Sequence, residues 1–372
     1  MADSRFASVS GAVVDDTVGG VLHFGNPLVE QRLLAQGRAL APREDRAVIA
    51  VGGEDRLTWL DSLTSQALAR LEPGVSTELL VLDPHGHIEH AAAVLDDGVT
   101  TWLIADTVDT GALAGWLNRM RFRMRVEVRE ASELSVFAGT AAATAAVAAA
   151  APNGIPVAWT DPWPRVAVGG HGYALAEHPG AERDWVEVIV DEPERERILG
   201  AAVAGDLSLA GRYAAEALRI AAWRPSLAAD VNERSLPHEL DWMRTAVHLS
   251  KGCYRGQETV AKVHNLGHPP RRIVAVHLDG SSSVLPGAGS EIRAGDAVVG
   301  VLTSVALHYE DGPIGLAIVR RGAPDGDVLV DAPDGPVAAS LEQIVPADAG
   351  AAASVPRITR LSRRTVAEPP TR

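Results

Sequence analysis

The sequence has 372 residues, 47% of them hydrophobic, and carries a formal net charge of −14 at pH 7. This length predicts two or three domains, and the negative charge argues against broad binding to nucleic-acid backbones, which needs a basic surface. The single cysteine excludes an intrachain disulfide framework and favours a reducing, cytoplasmic location. Residues 1–20 lack the features of a signal peptide, and no apolar stretch indicates a membrane span.

The first structured region shows a regular succession of elements. Alternating apolar residues predict strands at 46–51, 79–82, 87–95, 100–105 and 124–128. Helical spacing predicts a helix over 57–71 and a second one around 113–120, and turn residues separate the middle strands. The order β-α-β-β-β-α-β indicates a mostly antiparallel sheet with helices on one face, an α+β arrangement.

A second α+β set follows. Residues 138–151 are nearly all alanine, which favours a helix, with a low-complexity loop as the alternative. The Trp- and Pro-rich stretch 156–164 predicts an irregular connection. The elements predicted beyond it are strands at 165–168 and 185–190 and helices at 192–204 and 213–223.

The sequence changes character after Pro270. Short apolar segments separated by Gly and Pro predict strands at 273–278, 291–293, 297–303, 314–319 and 327–330. Even spacing of short strands is typical of a small all-β barrel. The last 22 residues carry five arginines and one glutamate, which predicts a solvated end, with docking on RNA or an acidic partner as the alternative.

One stretch combines several uncommon residues, Lys251-Gly252-Cys253-Tyr254-Arg255-Gly256-Gln257-Glu258. It holds the only cysteine, and the only lysines of the chain are Lys251 and Lys262. Cations beside a thiol, and the N-terminus of a helix behind it, favour the thiolate. Glu258 suits the first turn of a helix that would end at Gly267. The stretch therefore predicts a glycine-hinged loop that presents a reactive thiol, whereas a buried structural cysteine is the alternative.

This motif resembles the signature of the YgfZ family, folate-binding proteins related to the T-protein (aminomethyltransferase) of the glycine cleavage system. The similarity covers roughly residues 20–345. Further segments that resemble the family are Trp59-Leu60-Asp61-Ser62-Leu63-Thr64-Ser65-Gln66, Leu82-Asp83-Pro84-His85-Gly86-His87-Ile88, Leu218-Arg219-Ile220, Arg224-Pro225, Asp230 and Leu236-Pro237-His238-Glu239.

The resemblance implies a T-protein-like multi-domain α+β fold. We expect a folate-binding region at 20–267, made of two antiparallel α+β subdomains whose chain segments can interleave. A C-terminal β-barrel would follow at 268–346, and 1–19 and 350–372 would be flexible termini.

The resemblance also implies site residues. Cys253 and Lys251 would carry the chemistry, with Gly252, Tyr254, Arg255, Gly256, Gln257 and Glu258 forming the motif loop. A pterin ring needs a carboxylate for its polar edge and an aromatic slot, and the glutamyl tail needs a cation. The candidates for tetrahydrofolate or a one-carbon derivative are Arg219, Asp230, Glu239 and Trp242, with Asp241 and Trp223 as further possibilities.

Gln66 departs from the T-protein pattern. The family has a catalytically important aspartate at the position that aligns with Gln66, and an amide can neither hold a negative charge nor accept a proton there. The family's glutamate-containing folate segment has only a loose counterpart at 172–177. True aminomethyl transfer is therefore doubtful on sequence.

Three functions compete at this point. The leading one, implied by the resemblance, is a folate-binding accessory protein for assembly or repair of iron–sulfur clusters, with client or assembly proteins as partners. The second is a tetrahydrofolate-dependent one-carbon transferase. The third, a metal site from His248, Cys253, His264 and His268, has only one pair at ligand spacing, so no metal is expected.

Overall fold

Two five-stranded sheets and a closed six-stranded barrel form the framework of the computed structural model. The structure describes residues 4–15, 20–174, 178–281 and 284–352. Within them the strands are β1 (Val13–Val14), β2 (Val21–His23), β3 (Ala39–Pro42), β4 (Arg46–Gly52), β5 (Ser76–Leu82), β6 (Ile88–Asp96), β7 (Thr100–Asp106), β8 (Glu127–Glu130), β9 (Ser135–Gly139), β10 (Ala158–Thr160), β11 (Val186–Val190), β12 (Ser208–Leu209), β13 (Arg271–Leu278), β14 (Glu291–Ala294), β15 (Ala297–His308), β16 (Gly312–Arg320), β17 (Gly326–Val330) and β18 (Val337–Gln343).

The helices of the same ranges are mostly short. They are α1 (Pro27–Ala35), α2 (Arg56–Leu63), α3 (Thr107–Arg119), α4 (Ala141–Thr144), α5 (Glu192–Ala204), α6 (Arg212–Ala221), α7 (Leu227–Asp230) and α8 (Gln257–Leu266). Two 3₁₀ turns lie at Pro179–Glu182 and Pro237–Leu240. Within the described ranges, no helix is long and apolar enough to cross a membrane.

The first sheet has the strand order β5-β6-β7-β4-β8, with antiparallel pairs throughout. Successive side chains of a strand point to opposite faces. In β4, Ile49 and Val51 therefore pack under α2 and α3, whereas Val48 and Ala50 join the core shared with the second sheet. The predicted succession of elements in this region is confirmed, although α2 ends at Leu63 instead of running to residue 71.

The second sheet has the order β10-β11-β9-β3-β12. The chain enters it at β3, before the first sheet, and returns at β9, so the two sheets are interleaved. Its pairs are antiparallel except β3 with β12, which is parallel. This parallel pair departs from the expected purely antiparallel arrangement, because β12 reaches the sheet through a crossover from α5.

Three predictions in this region need correction. The stretch 165–168 is not a strand, because its backbone bonds to another loop: Ala167 N donates to Arg244 O at 2.9 Å. The stretch 156–164 is not wholly irregular, because β10 lies inside it. The alanine-rich stretch begins in β9 and forms only the short α4, so the loop alternative holds for most of it.

The barrel closes in the order β13-β16-β15-β14-β17-β18. Val274, Leu302 and Val319 fill its interior, whereas Ile273 and Leu316 face outward into a second core. That outer core also contains residues of the first sheet and of segment 240–260, so the barrel packs against the part of the chain that precedes it. The sequence predicted every strand of the barrel except β18.

The predicted flexible termini lie partly outside the described residues, which leave out 1–3, 16–19 and 353–372. Within the described part, Phe6 is 2% exposed and contacts Phe137 edge-on, with ring centroids 5.6 Å apart. Residues around Phe6 are therefore packed against the second sheet.

Candidate functional site

Cys253 lies in the short loop that joins segment 241–251 to α8, and its side chain is exposed. The alternative of a buried structural cysteine is thus not what the structure shows. Segment 241–251 bonds to the residues after α2: Ser65 Oγ donates to Ala246 O at 2.6 Å and His248 N donates to Ser65 O at 2.9 Å. The loop that carries the thiol is therefore anchored to the first α+β unit.

Lys251 adds further hydrogen bonds between the thiol loop and the end of α2. Its Nζ donates to the carbonyl oxygens of Asp61, Thr64 and Gln66, the last two at 2.8 Å, and lies 3.6 Å from a carboxylate oxygen of Asp61. Carbonyls at the C-terminal end of a helix carry partial negative charge and lack partners within the helix. Burial lowers the pKa of Lys251, and the Asp61 carboxylate opposes this shift. The ammonium group thus holds the loop to the end of α2.

Tyr254 and Arg255, which follow Cys253 in the chain, are also fixed by contacts with other parts of the protein. Tyr254 is buried, its ring centroid is 5.4 Å from Lys251 Nζ, and burial raises the pKa of its hydroxyl. Arg255 donates to both carboxylate oxygens of Glu89, at 2.6 and 3.3 Å. The cationic groups on both sides of Cys253 therefore already have carbonyl or carboxylate partners.

Gly256 is the position where this loop needs a glycine. It precedes α8 with φ of 83°, and a Cβ there would lie 2.6 Å from Asp83 O and 3.0 Å from Gly86 Cα. The β5–β6 turn thus packs directly on the start of α8, where backbone alone fits. Gly252 has no comparable constraint, because a Cβ there would meet nothing described within 4 Å.

The helix behind the thiol begins at Gln257 and ends before Gly267, as predicted from the sequence. Glu258, in its first turn, is exposed. The segment after the barrel returns to the other end of α8, where Ala351 N donates to Gly267 O at 2.8 Å and Ala352 N to His264 O at 2.9 Å. Both ends of α8 are therefore fixed by distant parts of the chain.

Gln66, the departure from the T-protein pattern, is 4% exposed. Its Nε2 donates to Thr245 O at 2.7 Å and its Oε1 accepts from Ala67 N at 2.9 Å. Nε2 thus joins segment 241–251 to the first unit, whereas Oε1 bonds within that unit.

A charged cavity of about 90 Å³ lies between the two sheets and α6. Its charged groups form ion pairs: Arg224 with Glu78 at 2.6 Å, Arg183 with Asp161 at 2.8 Å, and Arg46 with Asp106 at 2.7 Å and with Glu187 at 3.3 Å. The indole rings that line it are Trp159, Trp185 and Trp242. Trp185 lies 4.8 Å from the Arg183 guanidinium carbon, and Trp242 Nε1 donates to Glu78 at 3.2 Å.

Charge pairing in this cavity shifts several pKa values. Burial by itself would raise the pKa of Asp45, but Arg43 lowers it to about 2. Burial likewise opposes ionisation of Asp161, but Arg224 and Arg183 keep its pKa below the usual value. These carboxylates are therefore anions at neutral pH.

One donor in this cavity is unused. Arg46 Nε is buried and has no hydrogen-bond partner among the described residues, although the other nitrogens of the same guanidinium are bonded. A buried polar group without a partner is costly and is uncommon in folded proteins. Arg46, a residue of the cavity wall, therefore keeps one donor without an acceptor.

The residues proposed for folate from the sequence do not all reach this cavity. Arg219 and Trp242 line it. Asp230 lies outside the lining, where it accepts from Arg219 at 2.8 Å and from Ser304 at 2.7 Å. Glu239 pairs with Arg271 at 2.7 Å, away from the cavity lining.

The two further possibilities also lie elsewhere. Asp241 accepts from Arg244 Nε at 2.8 Å and from the backbone of Tyr173, and burial raises its pKa. Trp223 packs on His178 with centroids 5.3 Å apart.

Sequence reasoning missed most of the cavity, namely Arg43, Asp45, Arg46, Glu78, Asp161, Arg183 and Glu187. These residues are far apart in the chain and sit on different elements. The local signals were Arg219 and Trp242, which the sequence analysis proposed, and Arg224, which belongs to a segment that resembles the family.

The histidines considered as metal ligands point to different partners. His264 Nδ1 lies 2.8 Å from the Tyr173 hydroxyl, and His268 Nδ1 lies 2.8 Å from Ala349 O. In the part of the chain that the structure describes, no three His, Cys, Asp or Glu side chains form a group suited to a metal ion.

Interleaved sheets, an attached barrel and a loop fixed between them define an α+β fold of the aminomethyltransferase T type. A crystal structure of glycine cleavage system aminomethyltransferase T from Bartonella henselae superposes with a TM-score of 0.70 and 19% identity, over 90% of this chain and 94% of that chain. Aspartate kinase from Synechocystis gives a TM-score of only 0.22, at 9% identity over 85% of this chain and 54% of that chain, and supports nothing further. No protein-family model and no curated protein sequence matches the chain.

Proposed function

We propose that this protein is a cytoplasmic, folate-binding accessory protein that supports assembly or repair of iron–sulfur clusters in a subset of enzymes. The observation that carries the proposal is the placement of Cys253, an exposed thiol on a loop whose neighbours are fixed by Lys251 and Gly256. Thiolates are the usual ligands of iron–sulfur clusters.

A single thiolate cannot hold a cluster, which usually takes four such ligands. The other ligands would have to come from a client or assembly protein. Exposure of Cys253 suits this role, because the thiol is accessible to a second macromolecule. The fixed loop limits the conformational entropy that the encounter would cost.

The cavity between the sheets is the proposed site of tetrahydrofolate. Its lining offers what a folate needs: aromatic faces at Trp159 and Trp185, carboxylates such as Glu78 for a pterin edge, and guanidinium groups for a glutamyl tail. Arg46 Nε adds a free buried donor. The enclosed volume of about 90 Å³ is below the roughly 300–1,000 Å³ of ligand pockets. Folate would therefore replace some of the ion pairs that now close the cavity.

Tetrahydrofolate, when bound, supplies a carrier for one-carbon groups. The chain's own residues would bind and orient it, and segment 241–251 connects the cavity wall at Trp242 to the thiol loop at Lys251. This connection is the physical route by which an occupied cavity would influence the position of Cys253.

The alternative is a tetrahydrofolate-dependent aminomethyl transferase, which the fold similarity favours. Gln66 counts against it, because its amide is fully bonded to Thr245 and Ala67 and cannot take up a proton or stabilise a cation as a carboxylate does. The accessory role does not require a carboxylate at this position.

The deciding experiment is replacement of Cys253 by Ala in a strain that lacks the protein. We expect the variant to fold normally, with a change in unfolding free energy within about 0.5 kcal/mol because the side chain is exposed. It should nevertheless fail to restore the activity of a cluster-dependent enzyme. Ser250→Ala, an exposed change in the same loop, is the matched control and should restore activity fully.

Calorimetric titration with tetrahydrofolate under anaerobic conditions tests the ligand independently. Micromolar binding by both wild type and Cys253→Ala would support a folate site separate from the thiol. Full rescue by Cys253→Ala, or ammonia release from an aminomethyl donor, would instead support the transferase.

A further inference from the structure

A surface groove beside the thiol loop is not used by the proposed folate site. It has a volume of about 630 Å³, within the roughly 300–1,000 Å³ typical of ligand pockets. Its walls are the β5–β6 turn, the first half of β6, α3, and α7 with the segment after it.

The groove is acidic. Its charged lining residues are Asp83, Glu89, Asp109 and Glu233 against Arg119. His87 Nδ1 lies 2.9 Å from an oxygen of Asp83, and His90 Nδ1 lies 2.7 Å from Asp109 Oδ1.

One carboxylate oxygen of the groove lacks a partner. Asp109 Oδ2 is buried and accepts no hydrogen bond from any described residue, whereas Oδ1 is bonded to His90. The Trp116 ring also lines the groove, 6.4 Å from the His90 ring. The Asp109 side chain is 13% exposed and lines the groove, so a cationic donor that enters here could supply the partner that Oδ2 lacks.

The groove borders the thiol loop through two contacts. Glu89, on its wall, holds Arg255, two residues beyond Cys253. Asp83, also on its wall, contributes the carbonyl oxygen against which Gly256 packs. A ligand that fills the groove at this end therefore contacts Asp83 and Glu89, the residues on which the thiol loop rests.

We propose that this groove binds a basic segment of a partner protein, with a lysine or arginine side chain at Asp109 and Trp116, and so brings that partner to Cys253. Charge complementarity favours a cationic occupant, since four carboxylates are opposed by only two arginines, Arg119 in the lining and Arg255 on Glu89. Exposed Val108 at the rim and partly buried Leu227 and Val231 offer apolar contacts for the stem of such a side chain. The role of the partner rests on the proposed function of Cys253, but the binding itself does not.

The test uses the full chain and two fluorescein-labelled peptides, five Gly-Arg repeats and five Gly-Glu repeats, in a fluorescence anisotropy titration at about 0.15 M salt. We expect the arginine peptide to bind at least about tenfold more tightly than the glutamate peptide. The variant Asp109→Asn, Glu233→Gln should weaken this binding by about tenfold.

A charge-matched control separates the groove from the general negative charge of the chain. Asp296→Asn with Asp334→Asn removes two exposed carboxylates from barrel turns and should change the affinity by less than about twofold, since distant charges are screened. A saturating amount of the arginine peptide should also slow alkylation of Cys253 by iodoacetamide.

Equal binding of the two peptides, or equal loss in the groove and control variants, would overturn the proposal. Unchanged alkylation despite tight binding would overturn the link to Cys253. If the arginine peptide binds only after Arg360, Arg363 and Arg364 are replaced by Ser, the chain's own C-terminal segment is the occupant and the partner is not. None of these readouts depends on folate or on a cluster enzyme, so the proposed function can fail while the groove proposal stands.

Discussion

At the scale of single residues, the two glycines that flank Cys253 have different tasks. Gly256 adopts a positive φ and touches the backbone of the β5–β6 turn, whereas Gly252 does neither. From the sequence alone, both glycines are predicted to act as hinges of the loop. In the structure only Gly256 is required by geometry.

This difference gives a paired test. We expect Gly256→Ala to destabilise the protein by about 2–4 kcal/mol, because a Cβ at 2.6 Å from Asp83 O forces the turn away from α8 in addition to the strain of a positive φ. Gly252→Ala should change the unfolding free energy by less than about 0.5 kcal/mol. Urea denaturation of both variants is the measurement, and equal stabilities would refute the direct packing of α8 on the turn.

The sequence has lysine at only two positions, and the two side chains have different environments in the structure. Lys251 is buried on the carbonyls that follow α2, whereas Lys262 is exposed on α8. The rarity of lysine in the sequence drew attention to this loop. The sequence predicts a chemical role for Lys251; because carbonyl oxygens occupy its ammonium group, we propose that it also positions the loop.

At the scale of elements, Lys251 joins α2 to the thiol loop. Lys251→Met keeps the apolar stem but removes the donors, so the carbonyls of Asp61, Thr64 and Gln66 lose a partner. We expect a loss of about 2–3 kcal/mol in unfolding free energy and faster alkylation of Cys253 as the loop loosens. Lys262→Met is the control and should leave both quantities unchanged; a similar loss in both variants would contradict the anchoring role.

The elements that the sequence predicted well are those with local signals. Turn residues at Asp83–Gly86 and Asp96–Gly98 mark the hairpins of the first sheet, and glycines mark both ends of α8. Strand β18 was missed because its sequence, VAASLEQ, has weak alternation and is selected by its pairing with β13 and β17. The strand expected at 165–168 failed because a loop–loop contact with Arg244 competes for its backbone.

The candidate site also has one part with a local sequence signal, the thiol loop, and one part with few such signals, the cavity between the sheets. The residues of the thiol loop are consecutive in the chain, so the motif could be recognised from the sequence alone. The cavity between the sheets joins Arg46, Glu78, Asp161 and Arg224, which lie far apart in sequence. A cluster of this kind depends on the tertiary arrangement of several elements, and no spacing rule along the chain could have predicted it.

At the scale of the whole molecule, one core connects the first sheet, the segment that leads to the thiol, and the barrel. Leu80, Leu240 and Ile273 belong to it. The 3₁₀ turn Pro237–Leu240 contacts both β13 and α8, and its His238 is 0% exposed. Nε2 of this histidine lies 3.1 Å from Val260 O, and Nδ1 has no partner in the described structure. Proton uptake at His238 would therefore affect all three parts.

We expect acid to destabilise the molecule through this residue. Burial, aided by nearby His264 and His171 and opposed by the bond to Val260 O, lowers the pKa of His238 to about 4. Since a histidine in the unfolded chain titrates near 6.5, the unfolded state binds more protons between about pH 4 and 6.5. Stability then rises with pH across this window and is lost as the pH falls, by roughly 1–3 kcal/mol from this group.

Urea unfolding at pH 4.5 and 7 measures this dependence. His238→Gln retains a donor for Val260 O but cannot take up a proton, so the difference in unfolding free energy between the two pH values should shrink. His178, whose pKa burial also lowers to about 4, continues to contribute, so the dependence should not vanish. His277→Gln, on the exposed side of the barrel, should leave the difference unchanged. An unaltered pH dependence in His238→Gln would show that the core joining the three parts is not the origin of the acid sensitivity.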